Sequence, residues 1–454
     1  MGINTCSLKN FKCFKEVDID FSKITLLTGA NSSGKSSFLY GLLSIFQSDG
    51  FPFSLSPNGK YINMGDFKEI SFNNVQENLI EIDIAIDAND IKREPNIPDQ
   101  GQYFFKSTWS FDPENNMPRL SYLKVSESKK WFLHFELQAN EDGYRLNCEL
   151  DSKSKVKDSS AAEIITRNKF FTASKAVYDA ILKTFEKKFT IHIQDFALKN
   201  LGELFEWNYE NPDFLNLRVL IGDFISIYSD IDKNLNFLSS FRLQPERTYY
   251  QKLQSDNTVG QLGENCIEQI VDWEMTGAEE LEQLNAIFRK LKLLHAIRTK
   301  KLPGGRFELS VKVDDNGIWA SLTDVGFGIS QLLPLIVADL QLPENSTLLL
   351  AQPEIHLHPS VQASLTDYFV EQANIHHKRY IIETHSEYLL NRFRLAIVKK
   401  LIAPEDLSIY YFEHSIDGTI THKIEFTTDG QIKHAPQGFF DTYMMDVMDI
   451  ALYA

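Results

Sequence analysis

The segment from Gly29 to Ser37 has the residue types and the spacing that bind a phosphate chain. Its glycines, lysine and serines follow the order of the phosphate-binding loop of nucleotide hydrolases, Gly-Ala-Asn-Ser-Ser-Gly-Lys-Ser. In such a loop backbone N–H groups surround the phosphates, Lys35 brings positive charge to the β and γ positions, and the Ser36 hydroxyl binds Mg²⁺. The predicted ATP and Mg²⁺ site consists of Gly29, Ala30, Asn31, Ser32, Ser33, Gly34, Lys35, Ser36 and Ser37.

The elements on either side of this loop are those that such a site requires. Residues 24–28, Ile-Thr-Leu-Leu-Thr, predict a buried strand, and residues 35–46 have the apolar spacing of a helix. A strand, a loop and a helix in this order distinguish a phosphate-binding loop from a glycine turn that ends in Lys-Ser by chance. Gln47, directly after the predicted helix, is a further candidate for facing the γ-phosphate.

Two segments in the second half of the chain could complete the site. Residues 351–359, Ala-Gln-Pro-Glu-Ile-His-Leu-His-Pro, follow the hydrophobic run at 346–350 and are composed like the opposite wall of a nucleotide site. Residues 323–331, Thr-Asp-Val-Gly-Phe-Gly-Ile-Ser-Gln, precede a helical pattern, and glycines at a helix start can present N–H donors to phosphate. A glycine-rich helix start without a ligand is the alternative for this last segment.

Composition limits the class of protein. A chain of 454 residues with 43% hydrophobic residues predicts a globular protein of two domains, which can interleave. No apolar run approaches the length of a membrane span, and the N-terminus lacks the order of a secretory signal. Four cysteines without metal-like spacing favour reduced thiols in the cytoplasm. The net charge of −16 argues against a surface that generally coats DNA, although a local basic channel remains compatible with it.

The pattern along the chain predicts an α/β fold in three segments. Residues 1–59 are the N-terminal part of the ATPase head with the phosphate-binding loop, and residues 241–454 are its C-terminal part. Residues 60–240 are an inserted β-rich and helical module. No heptad pattern lasts over several repeats, so we expect no long coiled-coil arm.

Within these segments the hydrophobic periodicity predicts individual elements. Alternation of apolar and polar residues at 79–86 and 131–137 predicts antiparallel strands with one solvent-exposed face, whereas residues 161–237 have mainly helical spacing. Residues 264–297 predict a helix, and the Asn-Gly turn at residues 316–317 predicts a β-hairpin.

The order of the motifs resembles the ABC-type ATPase heads of the RecF, chromosome-maintenance and overcoming-lysogenization-defect families. It looks closest to a bacterial subgroup of small AAA-family ATPases with Glu-Gln-Pro-Glu at the second motif, several of which belong to anti-phage systems such as Septu and PARIS. The match covers the first 50 and the last 130 residues, and the middle matches loosely at residues 241–247 and 260–265. The matching motifs are Gly29 to Ser36, Gly326 to Gln331, Gln352 to Pro359, and Glu-Thr-His-Ser-Glu-Tyr at residues 383–388.

The resemblance implies an ABC-type head with mixed sheets that binds ATP between two copies. Each copy then contributes its phosphate-binding loop to one nucleotide and its signature segment to the nucleotide of its partner. Gln352 falls where such heads carry the catalytic glutamate, and His385 matches the histidine that senses the γ-phosphate. The signature residues are Gly326, Gly328 and Ser330, and residues 356–358 lie where a loop between the subunits is expected.

One departure from this resemblance concerns catalysis. Ala351 stands where the family places an acidic residue that holds Mg²⁺ through water, and an alanine cannot do so. Either the chain is a degenerate ATPase, or a glutamate has been replaced on purpose to hold the ATP-bound state; the intact neighbouring motifs favour the second. Glu354 and Glu383 are the carboxylates that could take over part of the role. The candidate catalytic set is therefore Ala351, Gln352, Glu354 and His385.

The resemblance also implies a function. We expect an ATPase, hydrolysis-impaired at Ala351, that oligomerises through its heads and acts as a sensor and scaffold for a separate effector in anti-phage defence. The effector is expected to be a TOPRIM or other nuclease, because this chain lacks the clustered acids of such a domain, and the inserted module at 60–240 is expected to bind it. A RecF-like DNA repair clamp and a nucleotide-gated structural protein with little turnover are the alternatives.

Overall fold

Three β-sheets and the helices packed on them make up the described part of the chain. The computed structural model describes residues 2–48, 50–87, 102–127, 132–140, 143–151, 189–193, 233–250, 258–433, 435–436 and 439. Within these residues, no helix is both long enough and apolar enough to span a bilayer.

The strands and helices follow one another in this order. The strands are β1 (Gly2–Phe11), β2 (Phe14–Asp20), β3 (Ile24–Gly29), β4 (Ile80–Asp87), β5 (Gln102–Asp112), β6 (Met117–Glu127), β7 (Phe132–Asn140), β8 (Gly143–Asp151), β9 (Phe189–Ile193), β10 (Leu235–Leu238), β11 (Tyr249–Tyr250), β12 (Ala296–Leu302), β13 (Arg306–Lys312), β14 (Trp319–Ser321), β15 (Thr347–Ala351), β16 (Arg379–Glu383), β17 (Leu407–Ser415), β18 (Gly418–Phe426) and β19 (Ile432–Lys433). The α-helices are α1 (Lys35–Phe46), α2 (Phe67–Ile70), α3 (Cys266–Thr276), α4 (Glu279–Lys290), α5 (Phe327–Gln341), α6 (Pro359–Ile375) and α7 (Glu387–Val398).

The chain divides into two units, each built from several stretches of sequence. The first unit comprises the described residues of Met1–Asp20, Ser37–Lys233 and Ser415–Ile420. The second unit comprises those of Phe21–Ser36, Asn234–His414 and Thr421–Ala454. The expectation of interleaved domains matches this division, whereas the predicted boundaries at residues 60 and 240 stay a prediction.

The first unit contains an eight-stranded antiparallel sheet in the order β2-β1-β4-β5-β6-β7-β8-β9. Strand β4 shows why the sequence forms it, because the four isoleucines at alternate positions from Ile80 to Ile86 are all buried. The antiparallel strands predicted around residues 79–86 and 131–137 are confirmed by β4 and β7, which pair antiparallel with their neighbours. The helical prediction for residues 161–237 is wrong at β9 and β10, where short runs pair with neighbouring strands; the remainder lies almost entirely outside the described residues.

The second unit contains a seven-stranded sheet in the order β10-β15-β16-β3-β17-β18-β19. The five strands from β10 to β17 run parallel, and every residue of β3 and β15 is buried. Because parallel strands end at the same edge of a sheet, the loop after β3 and the segments after β15 and β16 meet there. The predicted α/β class with mixed sheets is confirmed.

The predicted helix at residues 264–297 is instead two helices and the start of a strand. Helix α3 ends at Gly277, whose φ of 68° is the left-handed conformation that stops a helix, and α4 ends before β12 begins. The predicted hairpin at residues 316–317 is confirmed, since β13 and β14 pair antiparallel. With β11 and β12 they form a small four-stranded sheet.

A buried polar cluster fastens helices α5 and α6 to the parallel sheet. The Asp339 carboxylate, fully buried on α5, accepts hydrogen bonds from the hydroxyls of Tyr368 on α6 and Tyr380 on β16. The buried Lys378 ammonium lies 3.4 Å from the same carboxylate and donates to the Asp339 carbonyl. Burial raises the pKa of both tyrosines well above their ordinary value, so they stay hydroxyl donors.

We expect Asp339→Ala to lower the free energy of unfolding by about 3–5 kcal/mol, because it leaves a buried ammonium without its carboxylate. Asp367→Ala is the matched control. It also removes a carboxylate that pairs with a cation, Arg392, but both side chains are about one third exposed. We expect a loss of about 0–1 kcal/mol there. Denaturant unfolding measures both values, and equal losses would contradict the anchoring role of Asp339.

Candidate nucleotide site

The loop after β3 closes around the ammonium group of Lys35. Lys35 Nζ donates to the carbonyl oxygens of Gly29 at 3.1 Å and of Ala30 at 2.7 Å. Gly29 has a φ of 139°, and a Cβ there would lie 2.3 Å from the carbonyl oxygen of Phe412 on β17. A side chain therefore does not fit at the start of the loop.

The rest of the predicted loop lies between β3 and the first turn of α1. Its tip, formed by Ala30, Asn31 and Ser32, is exposed to solvent. Ser33 and Lys35 are buried, and Ser37 is partly buried in the first turn of α1. The exposed tip leads to the N-terminus of α1, the end of a helix that favours a phosphate group.

Glu383 holds the Ser36 hydroxyl. Ser36 Oγ donates to Glu383 Oε1 at 2.8 Å and to Oε2 at 2.9 Å. Burial raises the pKa of Glu383, whereas the hydrogen bond from Ser36 and the charge of Lys35 lower it. Burial lowers the pKa of Lys35, and the charge of Glu383 opposes this. A hydroxyl, a carboxylate and an ammonium group are thus brought together at the phosphate-binding loop.

Ala351 is the direct neighbour of Glu383 in the sheet. The two residues are paired in register at the ends of β15 and β16, and both are buried. The N–H of the next residue, Gln352, donates to the Glu383 carbonyl at 2.7 Å, and Gln352 has a positive φ of 47°. At these two paired strand ends, β16 has a carboxylate, that of Glu383, and β15 has none.

Glu354 connects the turn after β15 to the segment after β16. Its carboxylate, buried to 8% exposure, accepts a hydrogen bond from the backbone N–H of His385 at 2.8 Å. The His385 side chain reaches solvent, and partial desolvation, followed by the charge of Lys35, lowers its pKa. A neutral imidazole at neutral pH can donate or accept a hydrogen bond. The arrangement holds this imidazole on the same edge as Lys35.

The three predicted signature residues differ in their surroundings. Gly326 caps α5, and a Cβ there would meet no atom within 4 Å. At Gly328 a Cβ would lie 2.8 Å from the His356 carbonyl oxygen, so this glycine permits the start of α5 to approach the turn after β15. Ser330 is buried, and its hydroxyl donates to the Phe327 carbonyl at 2.7 Å.

Sequence reasoning gave no definite role to two residues. The sequence offers Glu383 only as one of two carboxylates that could take over part of the role of the acid absent at residue 351, and its contact with Ser36 is not predicted; the available signal is that Glu383 ends a hydrophobic run, as Ala351 does. Arg242 is not selected by its local pattern, although its buried guanidinium donates to the backbone carbonyl of Gln331 on α5 at 3.3 Å. Gln47 belongs to the first unit, where its buried amide bonds the backbone of residues 56–62.

A parallel sheet with a lysine-containing loop after one of its central strands, here β3, is the arrangement of nucleotide-binding proteins of the α/β class. Residues 1–390 match the family model described as AAA ATPase domain, and the chain belongs to this family. Residues 402–450 match a second family model, described as a protein of unknown function (DUF3696). A comparison with curated proteins gives no match.

Among solved structures the chain is similar to head domains of Smc proteins. One is an Smc head with an extended coiled coil bound to the C-terminal domain of ScpA from Pyrococcus furiosus, with 14% identity, 99% of each chain covered and a TM-score of 0.43. A second is an Smc head bound to the C-terminal winged-helix domain of ScpA, with 14% identity, 93% of this chain and 97% of that chain covered, and a TM-score of 0.44. A third is the head domain from Thermotoga maritima, with 12% identity, 94% and 100% covered, and a TM-score of 0.39.

Introducing an acid at residue 351 tests the pairing of the strand ends. We expect Ala351→Glu to be less stable than Ala351→Gln by about 1–2 kcal/mol at pH 8, because two buried carboxylates then stand side by side. Repulsion raises the folded-state pKa of the pair, so the destabilisation is present at high pH and disappears as the pH falls and the pair takes up protons. Denaturant unfolding at pH 8 and pH 5 measures it, and equal stability of the two variants at pH 8 would refute the pairing.

Proposed function

We propose that this chain is an ATP-binding head in which nucleotide brings two copies together. The observation that carries the proposal is the group of Lys35, Ser36 and Glu383 at one edge of the parallel sheet, with Ser36 Oγ within 2.9 Å of both carboxylate oxygens. Membership of the AAA ATPase domain family supports nucleotide binding at this loop.

The residues present suit a magnesium ion that arrives with the nucleotide. Mg²⁺ prefers hard oxygen ligands and is bound through one or two carboxylates together with phosphates. Ser36 and Glu383 offer a hydroxyl and a buried carboxylate already in contact with each other. We infer that Glu383, on the neighbouring strand, supplies the carboxylate that residue 351 lacks. The metal would neutralise phosphate charge. The residues of the chain would hold the metal in place and keep water away from it.

We further propose that turnover of ATP is slow. Hydrolysis needs a group that orients the attacking water or accepts its proton. Gln352 stands after β15 with an amide side chain, which cannot accept that proton, and Ala351 contributes no second carboxylate. Glu354 is engaged with the His385 amide. Binding without rapid hydrolysis favours a long-lived nucleotide-bound state.

The start of α5 is the surface proposed to receive the nucleotide of a second copy. Gly326 is open to solvent, and its position at the N-terminus of a 15-residue helix favours an anionic group. If the start of α5 in each copy contacts the nucleotide bound by the other copy, ATP becomes part of the interface between the two copies. We also propose that the chain controls a separate effector in anti-phage defence and that it acts in the cytoplasm. These proposals rest on the order of the motifs alone.

Association is tested with Gly326→Glu. A side chain fits at this position within one copy, because nothing lies within 4 Å, whereas its charge repels the phosphates of a partner. We expect the parent to associate with ATP and Mg²⁺, and the variant to bind ATP to within about threefold but to associate about tenfold more weakly. Sedimentation velocity measures association, and isothermal titration measures binding.

The control for this test is Ile375→Glu, which places the same charge at the exposed, far end of α6. It should associate like the parent. Gly326→Glu dimers as strong as the parent's would rule out the signature contact, and a parent without ATP affinity would rule out the proposed function. ATP turnover is measured on the same samples, and rapid turnover by the parent would contradict the proposed slow hydrolysis.

A further inference from the structure

Gln362, in the first turn of α6, joins the segments that follow β15 and β16. Its Nε2 donates to the backbone carbonyl of Leu357 at 2.9 Å and to that of Glu354 at 3.5 Å. Its Oε1 accepts a hydrogen bond from the Ser386 hydroxyl at 2.5 Å. Because a carbonyl oxygen only accepts, the amide nitrogen must face Leu357 and the amide oxygen must face Ser386. One side chain therefore holds both the turn after β15 and the start of α7.

Ser386 is the residue through which Gln362 reaches the segment after β16. It directly follows His385, and its hydroxyl oxygen accepts from the N–H of Leu389 at 3.1 Å, which caps α7. The hydrogen of the same hydroxyl is donated to Gln362. Ser386 is buried, so Gln362 orients a cap that water barely reaches.

The backbone of His385 is held from the same turn. Glu354 accepts its N–H at 2.8 Å, and the N–H of the preceding residue, Thr384, donates to the Leu27 carbonyl of β3 at 3.0 Å. The turn itself is closed by a bond of 3.0 Å from the Leu357 N–H to the Glu354 carbonyl. Hydrogen bonds thus form a closed ring through the turn after β15, α6 and the segment after β16, while the His385 imidazole is exposed.

This imidazole stands on the metal side of the phosphate-binding loop. His385 comes two residues after Glu383, whose carboxylate holds the Ser36 hydroxyl. A magnesium ion that arrives with ATP bridges the β- and γ-phosphates. The imidazole is therefore on the side of the loop that would receive the terminal phosphate of ATP, the group that ADP lacks.

We propose that Gln362 is a positioning residue that holds the His385 imidazole for contact with the γ-phosphate and thereby favours ATP over ADP. A side chain whose backbone is already fixed loses less conformational freedom when it binds, so its contact is stronger. ADP uses the loop around Lys35 but not this contact. The inference rests on the proposed function and names the contact by which the site distinguishes the two nucleotides.

A purely structural role for Gln362 has a different consequence. Gln362 is partly exposed, so water can take over the hydrogen bonds of its amide when the side chain is replaced. Loss of a mere anchor between α6 and α7 would change the affinities for ATP and ADP alike. Only a role that acts through His385 changes the ratio of the two affinities.

The test is isothermal titration of ATP and of ADP, each with Mg²⁺, into the full chain with Gln362→Met. We expect the affinity for ATP to fall about tenfold and the affinity for ADP to stay within about threefold of the parent. The matched control is Gln372→Met, the same substitution of a partly exposed glutamine about three turns further along α6. It should bind both nucleotides like the parent.

A double-mutant cycle with His385→Ala separates positioning from anchoring. His385→Ala should lower the affinity for ATP at least as much as Gln362→Met does. The double variant should bind ATP like His385→Ala alone, because Gln362 has no further effect once the imidazole is gone. Losses that add in the double variant would overturn the inference, and so would an unchanged ATP affinity in His385→Ala.

Gln362→Glu provides a second route if Gln362→Met does not fold, as judged by circular dichroism. Its carboxylate can still accept from Ser386 but cannot donate to the Leu357 carbonyl, so it should show the same selective loss of ATP affinity. A Gln362 variant that keeps the parent's ratio of ATP to ADP affinity would overturn the inference. A parent that binds both nucleotides equally would also overturn it, whereas a parent that does not bind ATP would overturn the proposed function.

Discussion

The parallel pairing of β15, β16 and β3 is the constraint on which the candidate nucleotide site depends. Because β16 lies between the other two strands, its last residue, Glu383, is a neighbour both of Ala351 and of the phosphate-binding loop. The order of strands also brings Lys35 and His385 to the same edge. Each charged group of the site is therefore placed by backbone hydrogen bonds and not by contacts among side chains alone.

The proposed magnesium site depends on this placement, because the alanine at residue 351 has no carboxylate and Glu383 on the adjacent strand has one. The hydroxyl of Ser36 already contacts both oxygens of Glu383, so a carboxylate and a hydroxyl stand together as oxygen ligands do around Mg²⁺. A glutamate at 351 would stand next to this acid and repel it. The alanine is thus compatible with the proposal that Glu383, on the adjacent strand, supplies the carboxylate of the site.

The sequence predicted the local parts of the site better than their arrangement. The strand–loop–helix around Lys35 follows from short-range periodicity, and so does the hairpin at residues 316–317. The closeness of Ser36 and Glu383 depends on which parallel strands are neighbours, and no local pattern encodes that order. Arg242 is missed for the same reason, because the carbonyl that its guanidinium contacts, that of Gln331, lies on α5, far away in sequence.

The central claim, that Glu383 replaces the acid missing at residue 351, is tested most directly by titrating ATP into the parent and Glu383→Gln with Mg²⁺ and with EDTA. The account predicts that Mg²⁺ strengthens ATP binding to the parent, that Glu383→Gln loses about tenfold or more of this Mg²⁺-dependent gain, and that both bind alike in EDTA. Glu387→Gln, an acid of the same segment, is the control and should match the parent. An undiminished Mg²⁺ effect in Glu383→Gln would contradict the claim.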